Sequence, residues 1–148
     1  MFKWYQDAEV CYVYLPDIPV DIPAVDAMEK LKDCRWFRRG WTLQELIAPR
    51  DIRFYDQNWK LLGTKKDSAD LISTITGIKV PVLRLEKSPN KFSISTRMSW
   101  AANRKTKRVE DMAYCLLGIF DVSMPMLYGE GTRAFGRLQE EIIKRSND

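Results

Sequence analysis

Cys34-Arg-Trp-Phe-Arg-Arg-Gly-Trp-Thr-Leu-Gln-Glu-Leu-Ile-Ala-Pro-Arg-Asp-Ile-Arg-Phe-Tyr-Asp56 is the stretch on which the reading of this chain turns. Thr42 and Glu45 stand at capping-box spacing and Pro49 forbids continuation, so residues 42–48 are expected as a short helix. Residues 52–55 then read as a brief strand. Trp36, Trp41 and three arginines crowd the approach to this helix. Glu45 carries two readings. As the third helical residue, its carboxylate would satisfy the Thr42 N–H and complement the helix dipole. At a helix start beside a sheet edge, it would instead hold a ribose hydroxyl or stabilise an oxocarbenium ion. Arg38 and Arg39 suit phosphate oxygens, or simply form a solvated loop.

Upstream, residues 10–15 are apolar without alternation and closed by Pro16, the pattern of a strand covered on both faces in a parallel sheet. Residues 16–33 hold three prolines and then a short helix with Ala24, Met28 and Leu31 on one face. Downstream, residues 59–62 read as a strand after a Gln57-Asn58 turn. Residues 67–76 read as a helix with Leu71, Ile72 and Ile75 inward and Gly77 just past its end. Residues 78–93 read as loop. Three helices follow, over 95–103, 109–117 and 132–144, the last with Phe135, Leu138 and Ile142 inward. Strands early and helices late predict an α/β core over 1–77 with a loop and helical extension over 78–148, as a single unit.

Other constellations read as structure. Gly129-Glu130-Gly131 lacks the spacing of a phosphate loop and is expected to turn on glycine backbone angles, with Tyr128 packed beneath. Glu110 and Asp111 are expected to pair with Arg104 or Arg108, and Trp100 to be core. The basic stretch from Arg97 to Arg108 predicts packing and ion pairing, without sequence-specific nucleic-acid binding.

Composition sets the outer bounds. Of 148 residues, 45% are apolar and 30% charged, ordinary values for a globular chain, and the formal charge of +4 implies no particular partner. There is no histidine, which removes imidazole catalysis and His-containing zinc sites. Cys11, Cys34 and Cys115 form no Cys-x-x-Cys pair, which fits a reducing, cytoplasmic compartment. Residues 1–7 have Lys3 but no apolar signal region, and no stretch approaches the roughly 20 apolar residues of a membrane span.

The ordered blocks resemble the fungal heterokaryon-incompatibility (HET) domain. They are Trp36 to Leu46, Ala48-Pro49-Arg50, Phe54-Tyr55, Thr76-Gly77-Ile78, Met98-Ser99-Trp100-Ala101, Glu110 to Gly118, Tyr128 to Gly131 and Arg137 to Ile142. The resemblance implies an effector of incompatibility and programmed cell death. It also implies homo-oligomers or other incompatibility proteins as partners, with no cofactor. It is distantly similar to TIR domains, which implies a partial flavodoxin-like parallel sheet. Trp41-Thr42-Leu43-Gln44-Glu45-Leu46 is similar to the plant TIR block Trp-Cys-Leu-x-Glu-Leu, with Thr42 in place of the cysteine. By that likeness Glu45 would be the catalytic acid of an NAD nucleosidase, with Trp41 lining the site and Arg38 or Arg39 meeting the pyrophosphate. A non-enzymatic interaction module is the other alternative. Complete HET domains open with Leu-Ser-x-x-Trp-Gly and Trp-Ile-Asp blocks. Without them, 1–148 is expected to be an incomplete domain, inactive alone, with an open sheet edge.

Overall fold

The computed structural model describes residues 1–146, including every side chain among them except those of Ala24 and Met28. Thus of the helical face expected from Ala24, Met28 and Leu31, only Leu31 lies among the described side chains, and it is fully buried. The chain begins with a short helix α1 (Phe2–Asp7), passes into strand β1 (Cys11–Tyr14), then into α2 (Ala24–Glu29) and two 3-10 turns (Lys30–Asp33 and Arg35–Arg38). Helix α3 (Thr42–Ile47) leads to β2 (Ile52–Tyr55) and β3 (Leu61–Thr64). Helices α4 (Ala69–Thr76), α5 (Val80–Leu83), α6 (Ile94–Ser99), α7 (Asp111–Tyr114) and α8 (Arg133–Ser146) complete the order.

The sheet is mixed and three-stranded, in the order β1-β2-β3. As expected, β1 runs parallel to β2, with Cys11 opposite Ile52 and Tyr14 opposite Tyr55. Strand β3 departs from the expected parallel sheet. It begins two residues later than the 59–62 reading and returns antiparallel to β2, with a register shift at Phe54/Tyr55. The reason is length, since a parallel return needs a crossover of about a dozen residues and only 56–60 intervene. Strand β1 is also not covered on both faces. Val13 points into the core while Tyr12 and Tyr14 are exposed, and β1 is an edge strand.

The core sits on the other face of the sheet, where Val13, Ile52 and Phe54 meet Leu43, Leu46 and Ile47 of α3 and Ile72 of α4. Helix α4 ends as its sequence demands, at Gly77 with φ 78°. The 78–93 segment is more ordered than a loop, because Val82 and Leu83 are buried on α5 and a 3-10 turn follows at Pro89–Lys91. Helix α6 starts earlier than expected, its first turn capped by the Ser93 hydroxyl, which accepts from the Thr96 N–H. The 109–117 periodicity yields only one α-helical turn, α7, followed by turns that bury Cys115, Leu116, Ile119 and Phe120. Helix α8 buries Leu138 and Ile142, with Phe135 half-buried. Trp100 and all but Cys11 of the cysteines are buried.

Lys65, fully buried, ties the sheet to α3: its ammonium donates to the carbonyls of Leu46, at 3.0 Å, and Pro49. Burial pushes this group down to about 8, against the attraction of Cys11 and Asp51. The sign follows from linkage. Below pH 8, Lys65 is charged in both the folded and unfolded chain, and the full cost of burying charge is present. Between about pH 8 and the ordinary lysine value of 10.5, the folded chain loses its proton first, so stability rises with pH. Relative to Lys65→Met, the natural chain should therefore gain about 3 kcal/mol across that window. Denaturant melts of both proteins at pH 7.5 and 10.5 provide the check, since groups that do not interact with Lys65 titrate alike in both and cancel in the difference. A pH-independent difference would contradict the buried charge.

Candidate functional site

The 3-10 turn Arg35–Arg38 is pinned by two buried side chains, Cys34 and Phe37, which leaves its arginines on the outside. Trp36 lies edge-on to Phe37 and Phe54, at 4.9 and 5.8 Å between ring centres. The chain then extends through Arg39 and forms a parallel bridge with Lys105. Lys105 N–H donates to the Arg38 carbonyl at 2.7 Å, and Gly40 N–H donates to the Lys105 carbonyl at 2.9 Å. A Cβ on Gly40 would stand 2.4 Å from Thr106 Cγ2 and 3.2 Å from Cys115 Sγ, so the two segments meet this closely only because residue 40 is glycine.

Arg104 secures the junction from within. It is 5% exposed, and its Nη1 donates to the Arg39 carbonyl at 2.9 Å and to the Thr42 hydroxyl at 2.8 Å. Burial draws this guanidinium down to about 10, with Cys115 and Glu45 pulling the other way. The Thr42 hydroxyl in turn lies between the carbonyls of Trp36 and Arg39, with its one hydrogen to donate to either. The capping box is therefore not formed. Trp41 occupies the cap position in a helical conformation without a side-chain cap bond, and Thr42 faces backwards to the basic turn.

These contacts shape a groove of about 810 Å³ beyond the carboxyl end of β1. One wall is Tyr14 to Asp17, another is Arg35 with Trp36 and Arg38 to Trp41, and the third is Lys105 to Arg108 with Asp111. Arg38, Arg39 and Trp41, three of the four residues singled out from sequence, line it together. Glu45 does not. It is half-buried and accepts a 3.0 Å hydrogen bond from the Tyr5 hydroxyl, so α1 covers it. Burial and the adjacent Glu45 raise the Tyr5 phenol to about 12. Trp41 also borders a second cavity of about 1070 Å³, formed with α1, Gln44 and the 117–126 segment. The buried Gln44 Nε2 there has no partner among the described residues.

The expected ion pairs of Glu110 and Asp111 with Arg104 or Arg108 are replaced by loop anchoring. Glu110 accepts from Gly129 N–H at 2.9 Å and Asp111 from the Tyr128 hydroxyl at 2.6 Å. Positive φ angles at Gly129 and Gly131, 104° and 66°, confirm the glycine turn, and Arg108 lies 4.8 Å over the Tyr128 ring. Arg97 likewise donates to the Ile119 carbonyl and covers Phe120, in place of an acidic partner. Sequence reasoning noted the basic 97–108 run but gave no sign that it meets Arg38 and Arg39. The covering role of Tyr5 had no local signal. Among the described residues no group of three or more Cys, Asp or Glu is placed to hold a metal ion, and no helix is long and apolar enough to cross a membrane.

Over 150 aligned residues, covering 97% of the chain, 46% are identical to vegetative incompatibility protein HET-E-1 of Podospora anserina. The chain is homologous to a segment of a fungal incompatibility protein. It spans only 11% of that HET-E-1 relative's length. No family model matches the chain, and no solved structure matches it. The HET-E-1 likeness extends over nearly all of the 148 residues, and so takes in both basic segments, α3 and the Tyr128 turn.

Proposed function

We propose that this chain is the HET-type effector module of a vegetative-incompatibility protein, which triggers cell death in the fungal cytoplasm and works as part of an oligomer. The homology to HET-E-1 across 97% of the chain carries this reading. Residues 1–148 act as one unit, because 38–42 and 104–106 share backbone and buried side-chain bonds across the sequence midpoint. The finer fold in this reading is flavodoxin-like. Its support is the parallel β1-β2 pair and a groove beyond the carboxyl end of β1, where open α/β sheets place ligands.

The groove is the working surface in this proposal, with Arg38 and Arg39 as its anion contacts and Trp41 as its wall. The NAD-cleaving alternative uses the same three residues and adds Glu45. Their meeting in one groove supports it, whereas Glu45 would reach the groove only after α1 and Tyr5 move. Expression in a filamentous fungus of the incompatibility protein carrying this module tests the proposal. Arg38→Glu with Arg39→Glu should abolish induced death at unchanged protein level, since both side chains are exposed and their reversal leaves the core intact. Undiminished killing by the double variant would refute the groove assignment.

A further inference from the structure

Two surfaces that meet at Tyr14 share one chemistry. The first is the groove, whose rim carries six cationic side chains against Asp17 and Asp111. That surplus of four equals the formal charge of the entire chain. Arg35 is paired with Asp17 at 3.6 Å. Arg38, Arg39, Lys105, Lys107 and Arg108 have no carboxylate within ion-pair distance among the described residues. The Arg39–Lys105 bridge holds these like charges together against their repulsion, which a bound polyanion would relieve.

The second surface is the outer face of the sheet. Tyr12 and Trp59 are each 59% exposed and Tyr14 37%. Trp59 stacks on Tyr14 at 4.7 Å and 21°, while Tyr55 bridges Trp59 and Tyr12 at 5.6 and 5.8 Å. Trp59 is held in the left-handed region at φ 62°, where glycine or asparagine would be the unstrained choice. Its turn is rigid: Asp56 accepts from the N–H groups of Asn58 and Lys60, both at 2.9 Å. A strained backbone thus presents a large aromatic ring to solvent, next to an unneutralised basic groove.

We propose that this aromatic face and the basic groove together bind single-stranded nucleic acid without sequence preference. Bases stack on Tyr12, Trp59 and their neighbours, and the phosphate backbone runs past Tyr14 into the groove. Stacking needs only the π-face that every base has, and the cations read only phosphate, so neither element selects a sequence. A duplex keeps its bases stacked on each other and offers the rings nothing. The proposal stands independently of the effector reading above.

Fluorescence anisotropy of the 148-residue chain with 12-nucleotide uridine RNA and thymidine DNA oligomers tests it. Inorganic polyphosphate of similar charge, a 12-base-pair duplex and polyglutamate serve as comparison probes. Both oligomers should bind with Kd of about 1–100 µM near 0.1 M salt, and a log–log salt slope of about −3.5 follows from five phosphate contacts. RNA binding that exceeds DNA binding would assign the natural ligand to RNA, and the reverse to DNA. Lys107→Ala should flatten the slope by about 0.7. Trp59→Asn, which suits the left-handed turn, and Tyr12→Ser should each weaken oligomer binding about tenfold with unchanged circular dichroism. The aromatic variants should leave polyphosphate binding as it was. Equal binding of polyphosphate and oligomer, with no loss in either aromatic variant, would overturn the proposal. So would tighter binding of polyglutamate or of the duplex.

Discussion

Glu45→Gln is expected to leave the fold nearly unchanged while abolishing induced cell death by the incompatibility protein that carries this module. Glu45 caps nothing: its carboxylate accepts the Tyr5 hydroxyl, and a glutamine oxygen can accept the same bond. The stability cost should stay below about 1 kcal/mol, the size of one partly exposed hydrogen bond. If Glu45 stabilises developing positive charge, loss of its own charge removes what the amide cannot supply. One such electrostatic group is worth about 10²–10³ in turnover. Release of nicotinamide from NAD, measured beside the killing assay, separates the enzymatic reading from the binding one. Tyr5→Phe is the companion variant, because it deletes the hydroxyl that covers Glu45 and keeps the ring. Killing should persist or rise with Tyr5→Phe. Full killing by a well-expressed Glu45→Gln protein would leave Glu45 only as the anchor of α1.

Gly40→Ala should cost about 3 kcal/mol, the upper end of what overpacking costs. The added carbon falls 2.4 Å from Thr106 Cγ2 and 3.2 Å from Cys115 Sγ, and Cys115 is fully buried and cannot retreat. Overpacking of this kind costs about 1–3 kcal/mol by itself. Here it also pushes apart the strands of the Arg39–Lys105 bridge and loosens the bonds of Arg104 to Arg39 and Thr42. Thermal melts of Gly40→Ala and of Gly40→Ala with Thr106→Ser make the cause visible. The second substitution deletes Cγ2, so the double variant should recover about half of the loss. A Gly40→Ala protein as stable as the natural chain would mean that 104–108 docks on 38–40 less tightly than these distances state.

Local signals were legible where the interaction they announce spans only a few residues. Gly77 ends α4, Gly129 and Gly131 turn the chain, and the apolar spacing of Leu138 and Ile142 places the inner face of α8. The parallel pairing of β1 with β2 was legible too, because an intervening helical stretch allows no hairpin. The same length argument applied to 56–60 would have revealed the antiparallel β3. Thr42 misled for a different reason. Its spacing to Glu45 fits a cap, but a hydroxyl near two carbonyls and a buried guanidinium gains more from them, and Arg104 lies 62 residues away.

The sequence by itself determined the family likeness, the α/β class, the core-facing residues of α4 and α8 and the cluster Arg38, Arg39 and Trp41. Tertiary structure alone decided what that cluster became. It brought Lys105 and Lys107 across to it, placed Tyr5 over Glu45, and exposed Tyr12, Tyr14 and Trp59 on one sheet face. The physical reason is range. Helix periodicity, caps and turns act over three or four residues and are written in neighbours, whereas a groove exists only once segments some 65 residues apart are paired.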